Sequence, residues 1–396
     1  ASMRESSQRQ GLLVEALDGI ETLKLNNAVN WVQRRWDGYT ASVARSSIRV
    51  KNTSNVIISF STAIQQINTV LLVILGTYLI HSDDPHNRIT MGALIAAVIL
   101  SGRALAPLGQ IASLATRFQQ ARLAMQGVNE IVRRPVERES QTHYLTVKDI
   151  QGEFHFSAVT FFYKPELPAA LKGMSVCIRP GEKVGIIGTI GCGKSTLLKM
   201  MVGLYRQNKG QITLDGVAMQ QLDPCFVRDK VFLLEQNPRL FLGTLRENLQ
   251  LSRLPGSLSD VDMINAAGRF GFDRFIRHHP CGLDMQIGEG GQGLSGGQRQ
   301  MVALTRMVLG SPRVVLLDEP TTGLDLQTEN IVLKGLNHWS RGRTMVVVTH
   351  RLQVLNIVDR IIVMNEGRVM MDGPRDEILK KLSGKQQSGE SRAITS

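Results

Sequence analysis

The sequence predicts a two-part chain, an all-α segment of long helices followed by an α/β domain with a largely parallel sheet. Three observations predict it. Two long apolar runs lie within the first 134 residues, short β-rich runs alternate with helical ones after residue 152, and one of those strands leads through a glycine-rich loop straight into a helix. At 396 residues, 43% of them hydrophobic, the chain has length for two or three domains and a sizeable core. Its formal net charge of +12 suits nucleic acid, an anionic membrane surface or phosphorylated ligands, besides an evenly solvated basic surface. Cys177, Cys192, Cys225 and Cys281 are widely spaced and form no CxxC pair, which argues against a disulfide framework or zinc site and suits a reducing compartment. The chain opens on Ala-Ser-Met with no basic-then-apolar leader, so no signal peptide is expected, and the start reads as that of a fragment.

Residues 9–53 form a proline-free amphipathic stretch rich in Arg, Lys, Gln and Asn. Residues 56–80 carry no charge, although Gln65, Gln66 and Asn68 interrupt them. A polar turn with Asp83, Asp84 and Pro85 follows over 81–90, and residues 91–111 form a second apolar run broken by Arg103 and Pro107. About 20 apolar residues cross a bilayer, so the two runs read as a transmembrane hairpin, with a pair of buried core helices as the alternative. Arg45, Arg49 and Lys51 before it and Arg117, Arg122, Arg133 and Arg134 after it put its flanks on the cytoplasmic side. Ala93, Ala97 and Ser101 make a stripe of small residues suited to close helix packing. Gln65, Gln66 and Asn68 are expected to face other helices or a water-filled path. Two spans cannot enclose such a path, so further helices are implied.

Residues 135–151 read as a polar linker, 152–382 as the α/β domain, and 383–396 as a disordered tail. Within the domain, strands are expected over 154–162, 183–188, 231–235, 314–318, 344–349 and 360–365, and helices over 195–202 and 298–309.

The apolar strand 183–188 runs into Gly188, Thr189, Ile190, Gly191, Cys192, Gly193, Lys194 and Ser195, and Thr196 continues as helix. This is a P-loop in its strand–loop–helix setting. Its glycines let backbone N–H groups turn toward phosphates, and the helix N-terminus adds its dipole. Lys194 is expected on the β- and γ-phosphates of ATP and Ser195 on Mg²⁺. The strand 314–318 ends in Asp318 and Glu319, with Asp318 cast as an Mg²⁺ holder and Glu319 as the general base for the attacking water. Ser295 and Gln298 form a capping box, and Gly296 and Gly297 between them bare N–H groups at a helix start, a ready anion site.

With Leu294-Ser-Gly-Gly-Gln298 the chain resembles the ATP-binding-cassette superfamily, whose signature is this pentapeptide. The resemblance covers residues 154 to about 382. It implies that Tyr163 stacks on adenine, that Gln236 touches Mg²⁺ and senses the membrane part, that Asp325 lies in a loop crossing a dimer interface, and that His350 contacts the γ-phosphate. It further implies a head-to-tail homodimer in which Ser295, Gly296 and Gly297 of one copy complete the site of the other. Three departures are visible: Glu235 where proline commonly precedes the glutamine, Cys192 for a frequent serine, and Thr322-Gly323 for Ser-Ala.

A membrane hairpin ahead of the ATPase resembles the exporter arrangement, with residues 26–31 where a coupling helix is expected and 288–291 similar to an exporter-specific loop. Residues 99–110 and 290–298 look most like bacterial type I secretion exporters of haemolysin or adhesin type. That implies an inner-membrane protein with a cytoplasmic ATPase domain, a periplasmic adaptor, an outer-membrane channel, a secreted protein substrate and no nucleic acid. A lipid or drug exporter, and a soluble cassette ATPase acting on nucleic acid or ribosomes, are the alternatives.

Overall fold

The computed structural model describes residues 2–81, 89–138, 144–251 and 257–382. It divides into two compact units, Ala1–Pro135 and Val136–Ser396. The expected disordered tail at 383–396, and Asp83, Asp84 and Pro85 of the expected turn, lie outside the described residues.

The first unit comprises α1 (Ser2–Asp18), α2 (Ile20–Leu25), α3 (Val29–Ile80) and α4 (Met91–Val132). The proline-free stretch over 9–53 is thus broken. Asn27 takes φ +51, a left-handed turn that asparagine tolerates better than most side chains. Residues 26–31 are the corner after α2 and the first turn of α3. Glu5 ties α1 to α3 by accepting from the hydroxyls of Ser42 at 3.3 Å and Ser46 at 2.8 Å.

The two apolar runs fall on α3 and α4. Thr62–Ile80 spans 19 residues at mean hydropathy 1.7, long and apolar enough to cross a membrane, whereas Met91–Ala104 is apolar but shorter. Small and polar residues build the seam between them. Gly76 lies against the Leu94 side chain, so closely that any Cβ there would collide with it. Asn68 donates to the Ser101 hydroxyl, and the Gln65 amide abuts Gly102. Asn68 is therefore used on the neighbouring helix, while Gln66 and Ala93 are exposed.

The second unit opens with β1 (Phe154–Phe161), β2 (Leu171–Ile178), β3 (Lys183–Gly188), α5 (Lys194–Met201), β4 (Lys209–Leu214) and β5 (Val217–Ala218). It continues through α6 (Pro224–Lys230), β6 (Val231–Leu234), β7 (Gly243–Thr244), α7 (Leu245–Gln250), α8 (Asp260–Gly268), α9 (Asp273–His278) and β8 (Gln286–Ile287). It closes with α10 (Gly296–Gly310), β9 (Val314–Asp318), α11 (Leu326–Trp339), β10 (Thr344–Val348), α12 (Leu352–Leu355), β11 (Arg360–Asn365) and β12 (Arg368–Pro374).

The main sheet has the order β12-β11-β3-β10-β9-β6, parallel except for its β12 edge. β9 and β10 are buried at every position, as strands covered on both faces are. A second, antiparallel sheet of order β2-β1-β4-β5 was not expected beyond β1. Leu197, Leu198, Met200 and Met201 of α5 share one core with Phe154 and Phe156 of β1 and Val184 and Ile186 of β3. The other core joins Val302 and Leu304 of α10 and Leu336 of α11 to Leu317 and Val347. The carboxyl ends of β3, β9 and β10 therefore carry Gly188, Asp318 and the residues just before His350 on adjacent strands.

Candidate active site

The loop after β3 is shaped by its glycines, two of which leave no room for a Cβ. Gly193, at φ +100, is the N-cap of α5, and a Cβ there would come 2.5 Å from the Ala170 carbonyl. A Cβ on Gly188 would collide with the Met364 carbonyl. Gly191 is left-handed at φ +78 and faces open space, Ile190 at the loop tip is fully exposed, and Thr189 bonds the Asn365 side chain at 3.0 Å. The Cys192 side chain is buried, which leaves only its backbone for a ligand. Lys194 Nζ donates to the carbonyls of Gly188 at 2.9 Å and Thr189 at 2.8 Å, folded back over the loop that bears it. Tyr163 follows β1, half-exposed, its hydroxyl 2.8 Å from that of Thr196 and its ring edge-on to Phe161 and Tyr205.

The Ser195 hydroxyl faces the Asp318 carboxyl. Both line a cavity of about 210 Å³ together with Gln236, Asn237, Glu235 and Lys199. Burial pushes the Asp318 carboxyl above its ordinary value and the Glu319 charge adds to this, against the Ser195 hydroxyl and the charges of Lys194 and Lys199. Glu319 leaves β9 at φ +50, a costly conformation for a non-glycine residue, and its N–H is held by the Val348 carbonyl at 2.9 Å. Its carboxylate accepts from the Thr349 hydroxyl at 3.3 Å and lies 2.6 Å from His350 Nδ1. Asp318, Glu319, Ser195, Gln236 and His350 thus gather at one end of the sheet.

Residues 295–298 adjoin the turn that leads to Asp325, through Gly297 against Gly323 and Leu324. Ser295 caps α10, with the Gln298 N–H donating to its hydroxyl at 3.2 Å and Gln298 Oε1 accepting from the Ser295 N–H at 2.8 Å. A Cβ on Gly297 would come 2.9 Å from the Gly323 carbonyl, so the second signature glycine is also a packing requirement. Gly323 itself sits at φ +78, which explains glycine in place of the usual alanine. Asp325 caps α11 by accepting from the N–H groups of Gln327 and Thr328, and these bonds hold its carboxyl below the ordinary range. Among the described residues, no hydrogen bond joins 295–298 to the P-loop.

Three supporting residues escaped sequence reasoning. Buried Gln300 donates to the Pro320 carbonyl at 3.1 Å, tying α10 to the turn after Glu319. Glu329, 1% exposed, accepts from Thr321 at 2.7 Å and pairs with Arg351 at 2.9 Å, clamping the loop of His350 to α11. A carboxylate on the buried face of an amphipathic helix and an arginine beside His350 were the available signals.

Residues 171–322 match the ABC transporter family model, and residues 1–104 match that of the ABC transporter transmembrane region. The chain is 33% identical over 379 residues to the leukotoxin translocation ATP-binding protein of Mannheimia glucosida, covering 96% of this chain and 52% of that protein. It is 32% identical over 378 residues to the toxin RTX-I translocation ATP-binding protein of Actinobacillus pleuropneumoniae, with the same coverage. The chain therefore spans about half the length of the curated relatives it matches. Among solved structures, a bacterial Atm1-family ABC exporter with ATP bound shares the fold at a TM-score of 0.82 and 24% identity, over 96% of this chain and 65% of that one. A membrane region followed by an ATP-binding domain, matched in that order along one polypeptide, makes this chain a member of the ABC transporter family.

Proposed function

We propose that this chain hydrolyses ATP as one half of a homodimeric exporter and uses the cycle to move a protein substrate across a bacterial inner membrane. The Glu319 carboxylate carries the hydrolytic part of the reading, held between the Thr349 hydroxyl and the His350 ring next to Asp318. The P-loop N–H groups and the α5 N-terminus receive phosphate oxygens. Lys194 exchanges its two loop carbonyls for the β- and γ-phosphates. Tyr163 offers its ring to adenine. The Ser195 hydroxyl, the Asp318 carboxylate and the Gln236 amide form an oxygen donor set that fits a hard divalent cation. When bound there, Mg²⁺ would neutralise charge on the phosphate oxygens. Glu319 takes a proton from the attacking water, and His350 fixes the orientation of that carboxylate. In the head-to-tail arrangement, Ser295, Gly296 and Gly297 of the second copy offer the α10 N-terminus to the same phosphates, while Asp325 lies at the interface.

The substrate class rests on the relatives, whose names describe translocation of leukotoxin and of RTX-I toxin. The membrane-region match and the 19-residue apolar span favour an exporter over a soluble ATPase. A periplasmic adaptor and an outer-membrane channel are the partners this reading implies. Glu319→Gln is the direct test: the variant should keep ATP binding and accumulate a closed ATP-bound dimer on gel filtration in detergent. Turnover at the unsubstituted rate would overturn the general-base assignment.

A further inference from the structure

The residue before Gln236 is a carboxylate, Glu235, where proline is common in the pattern the rest of the domain follows. Glu235 closes one side of the 210 Å³ cavity that also contains Ser195, Gln236 and Asp318. Lys199 enters the same cavity from α5, four residues after Ser195 and so on the same helix face. Its ammonium lies 3.8 Å from Glu235 Oε1, and its charge also acts on the Asp318 carboxyl. Lys199 therefore adds a positive charge to the cavity where Ser195, Gln236 and Asp318 would hold a cation.

We infer that Glu235 is a positioning residue for divalent-cation binding, because by pairing Lys199 it keeps the Ser195–Asp318 cavity at a charge that a divalent cation can enter. The inference rests on the ATPase reading above, since it concerns the cation of that site. The pair is a third to a half exposed, so its worth as a brace for the fold is small. Its effect on the cavity is different in kind. Neutralising Glu235 leaves one extra positive charge facing a bound cation, and neutralising both partners restores the original balance. A mere structural brace predicts the opposite pattern, in which either single change weakens the site and the double change does not repair it.

The test is the binding of Mn²⁺, read from the free-ion electron paramagnetic resonance signal, to the detergent-purified full chain with saturating ADP. Glu235→Gln should weaken binding about fivefold. Lys199→Gln should bind at least as tightly as the unsubstituted chain, and the double variant should return to within about twofold of it. Unchanged binding in Glu235→Gln, or a double variant no better than that single one, overturns the inference while leaving the nucleotide site intact. Absence of ADP-dependent Mn²⁺ binding in the unsubstituted chain overturns the ATPase reading and this inference together.

Discussion

Glu319 combines a left-handed backbone, burial and a neighbouring carboxylate, three features that each cost stability and persist only because the surroundings hold them. The Val348 carbonyl, the Thr349 hydroxyl and His350 supply that restraint. Glu319→Gln should accordingly lower steady-state turnover about 100-fold or more, measured as phosphate release, with nucleotide affinity retained. Lys194 behaves differently, because among the described residues its ammonium bonds only two loop carbonyls and Cys192. Lys194→Ala should weaken ATP binding at least about tenfold in calorimetry while shifting the thermal midpoint by no more than about 2 °C. The chemistry of these residues was legible from local pattern, since a P-loop and a strand ending in two acids are contiguous in the chain. What Glu319 rests on was not, because Thr349 and His350 lie about thirty residues away.

At the level of elements, α10 is anchored near its N-terminus by two contacts of different visibility. Its capping box reads directly from Ser295 and Gln298, three residues apart, and Ser295→Ala should cost about 1 kcal/mol in denaturant unfolding besides any loss of activity. Its link to the turn after β9 goes through buried Gln300, which pattern alone marks only as a polar residue among apolar ones. The clamp of Glu329 on Thr321 and Arg351 joins α11 to two strand ends. Removing Arg351 leaves a buried carboxylate short of its cation, so Arg351→Ala should destabilise the fold by about 2 kcal/mol, discounted for the exposed third of that side chain. Some strands hid for similar reasons. β2 shifts its pairing with β1 on either side of Val159, which breaks the alternation that would announce a strand. β4 offers only Ile212 and Leu214 as buried apolar residues.

For the whole molecule, residues 295–298 and the P-loop share no hydrogen bond among the described residues, which fits a site completed by a second copy. Lys194→Ala spoils only the phosphate grip and Ser295→Arg only the signature, so a mixed dimer retains one intact site. Co-expressing the two variants should recover about a quarter of the unsubstituted ATPase rate, counting half the dimers as mixed with one working site each. No recovery would mean that each chain works alone. Residue order is enough to reveal the helical first part, the parallel sheet and the chemistry-bearing motifs, because periodicity and motif spacing are properties of neighbours along the chain. Folding alone brought Glu235 and Lys199 into one cavity with Asp318, turned Asn68 onto Ser101, and closed His350 on Glu319. Those contacts join residues from about thirty to more than a hundred positions apart, and only the packing of strand ends and helix faces brings them within bonding distance.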